Sequence, residues 1–244
     1  MPTEYDQNKV PENIKEAAAD NSEAHHIYRN YLKSRQVEEW MNMCVDAQRR
    51  MPPQQFFFRY LMREYGGVAA SVPLADKYAH LATGGRKPKV TENWTLNVSA
   101  PFFDEVGDAV EANDWSVATW EGFYDDCQKE AIAYENSNGF FTDFKKTHHY
   151  PKFVEAKLLS IYNRNRTGVL MELGLNHRYH SGILNHRAFP IALKYAMTSA
   201  YLITTGHPVG LGMKNYGKSY FDQIGKTNQM PLTYDQFCNR LADY

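Results

Sequence analysis

A chain of 244 residues is long enough to bury a core and fits one large domain or two small ones. Hydrophobic residues make up 43% and aromatics 14%, with 17 Tyr and 13 Phe, which excludes a wholly disordered chain and calls for an interior or interface rich in rings. A formal net charge of -1 excludes a globally basic nucleic-acid binder but leaves room for a locally basic one.

The polar, acidic opening "MPTEYDQNKVPENIKE" does not read as a secretory signal. Ser22 then stands as the N-cap of a helical run, "SEAHHIYRNYLKSRQVEEWMNMCVDAQRR", in which Ile27, Tyr31, Trp40, Cys44 and Ala47 recur at roughly helical steps. "PPQQFFFRYLMREYGG" has prolines where a first turn tolerates them and ends in Gly66 and Gly67, where a helix stops. A third helix is expected in "VPLADKYAHLATGG". The next stretch, "GGRKPKVTENWTLNVS", breaks the pattern with a basic loop, after which Trp94, Leu96 and Val98 alternate as a short strand at residues 94–99 would. It divides the chain into an N-terminal helical half (1–85), a linker with a β element (86–100) and a C-terminal helical half (101–244), the alternative being a single domain.

Beyond that hinge, "DWSVATWEGFYDDCQKEAIAYE" sets Trp120, Phe123, Tyr124, Cys127, Ala131 and Tyr134 on one helical face and acids on the other. Pro151 opens a helix through "KFVEAKLLSIYNR". "FPIALKYAMTSAYLITTG" is apolar nearly all round and stops at Gly206 and Pro208, as a buried central helix does. A last helix begins at Thr233, with Gln236 completing a capping box. The fold class is therefore mainly α. Cys44, Cys127 and Cys238 lack the paired spacing of a zinc or redox motif and suit a reducing compartment. The most apolar run, Phe189 to Ile203, contains Lys194 and falls short of the roughly 20 residues a membrane helix requires. An intracellular, non-secreted protein without a membrane partner is expected.

"GMKNYGKS", residues 212–219, spells the phosphate-loop pattern Gly, four residues, Gly-Lys-Ser. A true phosphate loop follows a buried strand, and a later strand supplies an acid for magnesium. Here a helical pattern and the irregular "HPVGLG" precede it, and the 25 residues after Ser219 contain no apolar strand ending in Asp. The segment 206–219 is read as a glycine-punctuated surface loop, in which Gly210, Gly212 and Gly217 free the backbone and Lys214 and Lys218 add charge for an anion nest. A phosphate-binding enzyme using Lys218 and Ser219 is the alternative.

The near-neutral total hides segregation. Residues 102–137 contain ten acids and one base, Lys129, whereas residues 138–187 contain eight bases, three acids and five histidines. Within the basic block "IYNRNRTG" and "LNHRYHSGILNHR" interleave Arg, His, Asn and Tyr, the groups that fork onto phosphates, stack on bases and reach base edges. A solvated face whose charges pair with the acidic block is the plainer alternative. His177, His180 and His186 could share a metal, but no Glu stands between a His pair at metalloprotease spacing and no cysteine is near, so no metal is assigned. No nucleophile elbow is present.

In "GLNHRYHSGILNHRAF", residues 174–189, the order Gly-Leu, Arg, Gly-x-Leu, Arg and Ala-Phe resembles the core stretch of the coat proteins of flexuous filamentous plant RNA viruses of the potyvirus type. The preceding "VEAKLLSIYNRNR" is similar to that family's helix ending in Arg-Asn, so the resemblance covers residues 153–189. Pro190 and Ile191 stand where the family has an Asp, and Arg178 is one position out of register. The resemblance implies a mostly helical subunit that holds single-stranded RNA in a groove, polymerises through flexible arms and contacts RNA through Arg178.

The leading expectation is a non-enzymatic, self-assembling structural subunit that contacts nucleic-acid phosphates, such as a viral coat or nucleocapsid protein of the cytoplasm or virion. Arg164, Arg166, Arg178 and Arg187 are the candidate phosphate contacts, Tyr162 and Tyr179 the stacking partners, and Lys214 and Lys218 supplementary charges. The expected partners are further copies of the chain and single-stranded RNA, with no cofactor. A helical adaptor of a larger assembly without nucleic acid is the alternative from another class.

Overall fold

Helical periodicity in the sequence becomes helix in the computed structural model, which describes residues 5–61, 96 and 98–242. Among the described residues there is no strand, and the fold is mainly α. Of the strand expected at residues 94–99, Trp94, Thr95 and Asn97 lie outside the described residues, and Leu96, Val98 and Ser99 are not extended into a ladder. The helix expected in "VPLADKYAHLATGG" and the stop at Gly66 and Gly67 lie outside them as well.

The chain forms two compact units. The first comprises, in its described part, Tyr5 and residues 11–20, 29–61, 96 and 98–142. Its helices are α1 (Ile14–Ala19), the second half of α2 (Glu23–Ser34), α3 (Glu38–Gln48), α4 (Pro53–Phe56, continuing as a π turn over Phe57–Leu61), α5 (Ala100–Glu111) and α6 (Val117–Asn138). The long run expected from Ser22 is two helices, because Gln36 takes a left-handed φ of 61° between α2 and α3. Helix α6 starts where Ser116 accepts the Thr119 N–H and buries Trp120, Phe123, Tyr124, Cys127 and Ala131, the face that its periodicity marks. Trp40 of α3 stacks on Tyr134 of α6 with ring centroids 4.4 Å apart. Glu135, buried on α6, accepts the Ile14 N–H at 2.8 Å and so satisfies a free donor at the start of α1.

The second unit comprises Asp6–Val10, Asn21–Tyr28 and Asp143–Tyr244. After α7 (Phe140–Lys145), which crosses the division, come α8 (His149–Arg164), α9 (Arg166–Glu172), α10 (His177–Leu184), α11 (Phe189–Thr204), α12 (Leu211–Gly225) and α13 (Tyr234–Ala242). Helix α11 is the buried centre, with Phe189, Ala192, Leu193, Ala196, Met197 and Leu202 inside, and α8, α12 and α13 pack on it. Phe144, Phe153 and Tyr28 form a ring cluster, with Phe144 4.8 Å from Tyr28 and 5.3 Å from Phe153. The capping box closes α13 at its start: Gln236 Oε1 accepts the Thr233 N–H at 2.9 Å, and Thr233 Oγ1 accepts the Gln236 N–H at 3.2 Å. Among the described residues no helix is long and apolar enough to cross a membrane.

Candidate nucleic-acid interface

The charge segregation follows the division into units. The acidic stretch 102–137 lies wholly in the first, and the second carries fourteen Lys and Arg against eight Asp and Glu. Lys146 meets Asp143 at 3.0 Å and Lys194 meets Glu155 at 2.9 Å, both partly exposed contacts of small energy. Lys157 is fully buried in α8 and adds nothing to the surface.

The candidate residues fall into three groups. At the end of α8, the Arg164 guanidinium donates to Asn21 Oδ1 at 3.0 Å and to the Gln7 carbonyl, tying two N-terminal segments of its unit to the helix. Two of its donors are thereby occupied. Tyr162, two residues earlier, is 7% exposed, which leaves its ring no open face for a base. It stands four residues after Leu158 and so belongs to the same apolar stripe. Of the two rings expected to stack on bases, Tyr179 is the exposed one.

Arg166, at the first position of α9, and Arg187, between α10 and α11, are exposed, and neither reaches a carboxylate among the described residues. Arg178 on α10 is also exposed, with its guanidinium carbon 5.5 Å from the centroid of the Tyr179 ring. Tyr179 is 73% exposed, unusual for a ring of that size. Asn176 caps α10 by accepting the Arg178 N–H at 2.7 Å, and its own N–H donates to His180 Nδ1 at 3.0 Å. A cleft of about 340 Å³ opens here, lined by Tyr179, His180, Ile183, Asn228, Gln229 and Met230 among others. The contribution of residues 228–230 carries no sequence signal, since packing alone brings the loop after α12 to α10.

Lys214 and Lys218 are exposed, but the surface loop expected at 206–219 is not their setting. Gly210 caps α12, and the whole of "GMKNYGKS" lies inside that helix. Its backbone N–H groups beyond the first turn serve the helix instead of converging on an anion, so neither a phosphate loop nor a nest is formed. Gly217, the second glycine of the pattern, is buried against Tyr195 and Tyr234, which accounts for it by packing. Lys214 and Lys218, one turn apart on α12, remain as exposed cations.

His186 Nδ1 accepts the Ala188 N–H at 3.1 Å, and among the described residues no three His, Cys, Asp or Glu side chains gather where they could hold a metal ion. Slight desolvation, with His148 and Lys152 nearby, holds the exposed His149 below its ordinary value. No protein-family model matches this chain, and no curated protein or solved structure does.

Proposed function

We propose that the chain is a non-enzymatic, self-assembling structural subunit that binds the phosphates of single-stranded RNA, as viral coat and nucleocapsid proteins do. The observation that carries the reading is a set of five exposed cations in one unit, Arg166, Arg178, Arg187, Lys214 and Lys218, that no carboxylate among the described residues neutralises. Guanidinium forks and flexible ammonium groups left to solvent in this way suit phosphate oxygens. The stretch 153–189, which resembles the flexuous-virus coat proteins, supplies three of the five, counting Arg178 one position out of register. An acidic and a basic unit in one chain also suit head-to-tail association, in which one copy's basic unit meets the next copy's acidic one.

The test is the salt dependence of binding to a single-stranded RNA. Each phosphate contact contributes roughly -0.7 to the slope of log affinity against log salt. Replacing Arg166 and Arg187 together by Ala is expected to flatten the slope by about 1.4. An unchanged slope removes both residues from the interface.

A second reading, a helical subunit of a protein assembly without RNA, is favoured by Leu211 and Tyr216, which are 81% and 62% exposed on the helix that carries Lys214 and Lys218.

A further inference from the structure

We infer that the cleft between α10 and the loop following α12 receives an unpaired nucleobase of the bound RNA, stacked on Tyr179; this rests on the RNA-binding reading above. The cleft, about 340 Å³, falls at the small end of the range that encloses an organic ligand. One cation flanks it without lining it. Arg178 stands beside it over the Tyr179 ring, while the wall itself is built from an aromatic ring, an imidazole, two side-chain amides and the apolar Ile183 and Met230. A phosphate would find no fixed positive charge inside, whereas a base finds a ring to stack on and edges to hydrogen-bond.

The polar groups are arranged by bonds already made. Asn228 spends its amide hydrogens on the Ile224 carbonyl at 3.2 Å and on Thr227 Oγ1 at 3.0 Å, so the oxygen is the part of that amide left to a ligand. Gly182 lies opposite, and a Cβ there would collide with Asn228 Oδ1, so the glycine is what lets this amide sit against α10 at the cleft wall. His180 Nδ1 already accepts the Asn176 N–H, which places the proton of the neutral ring on Nε2 as a donor. A fixed acceptor, a donor and the adaptable Gln229 amide match the mixed donor and acceptor edge of a base. With one face of Tyr179 under the Arg178 guanidinium, its exposure leaves the opposite face open to stacking.

The experiment compares the full chain and its Tyr179→Ala and Tyr179→Phe variants by fluorescence anisotropy on a short oligouridylate, a short oligoadenylate and an abasic ribose-phosphate strand of equal length. Since Tyr179 is exposed, both variants are expected to fold, which circular dichroism checks. Tyr179→Ala should weaken binding to at least one base-bearing strand about tenfold and leave the abasic strand unchanged, while Tyr179→Phe binds as the parent does. Equal losses on all strands, or no loss on any, would overturn the base-binding cleft while phosphate binding stands. If the unaltered chain binds none of the strands, the RNA reading itself fails and the cleft assignment with it.

Discussion

A Cβ on Gly217 would lie 2.9 Å from the Cβ of Tyr195, so α12 meets α11 at a point where only glycine fits. The Tyr234 hydroxyl closes the same space from α13. What the sequence presents as a phosphate-loop glycine is thus a helix-packing glycine.

Gly217→Ala is accordingly expected to destabilise the protein by about 1–3 kcal/mol, the usual cost of overpacking. For a chain of this length that lowers the melting temperature by roughly 2–4 °C per kcal/mol. Lys218→Ala should leave the melting temperature unchanged with or without ATP. A nucleotide-dependent rise that disappears in Lys218→Ala would instead restore the phosphate-binding enzyme.

Arg164 and Arg166, two residues apart, are expected to separate experimentally. Losing the Arg164 bonds to Asn21 and Gln7 should cost on the order of 1 kcal/mol and speed amide hydrogen exchange over residues 7–10. Arg166→Ala should leave that exchange alone and weaken RNA binding. Unchanged exchange in Arg164→Ala would return that residue to the phosphate contacts.

The helices were legible wherever local rules govern them. Thr233 and Gln236 announced the start of α13, and the spacing of Trp120, Phe123, Tyr124 and Cys127 announced the buried face of α6. The break at Gln36 was not legible, because nothing in that residue type demands a positive φ. Tyr162 could have been placed inside from its spacing to Leu158, but its arginine-rich neighbours drew it to the surface reading. For "GMKNYGKS" the glycines suggested freedom, whereas Tyr195 and Tyr234, distant in sequence, decide their role. The cleft was the least legible, since Tyr179 and Asn228 meet only through the packing of the second unit.

Buried phenols give the protein an alkaline limit. Burial pushes Tyr60, Tyr124 and Tyr234 above the ordinary phenol value of 10.0, Tyr124 to about 12. For Tyr60, an added push comes from the Asp46 carboxylate that accepts its hydroxyl proton at 2.5 Å. The folded state holds these protons more tightly than the unfolded one. Their contribution to stability is therefore complete below pH 10 and is lost as pH rises toward 12. Denaturant midpoints should fall across that window. Midpoints that hold steady through it would mean that the phenols ionise without loss of packing.

The two thiols Cys44 and Cys127 are expected to be inert in the folded chain. Cys44 and Cys127 are fully buried, and burial pushes both well above the ordinary thiol value; Cys238 is only partly buried and is also raised, chiefly by desolvation. A thiol-specific disulfide reagent at neutral pH should leave Cys44 and Cys127 untouched until the protein is unfolded, after which all three react. Rapid labelling of Cys44 in the native state would contradict the packing of α3 on α6.

The most direct test of the central claim is size-exclusion chromatography of the purified protein with absorbance read at 260 and 280 nm across the peak, in low and high salt. An RNA-binding, self-assembling subunit predicts a large species with excess absorbance at 260 nm that shrinks and loses that excess in high salt or after nuclease treatment. A clean protein spectrum at every salt concentration, with no shift when single-stranded RNA is added, would contradict it.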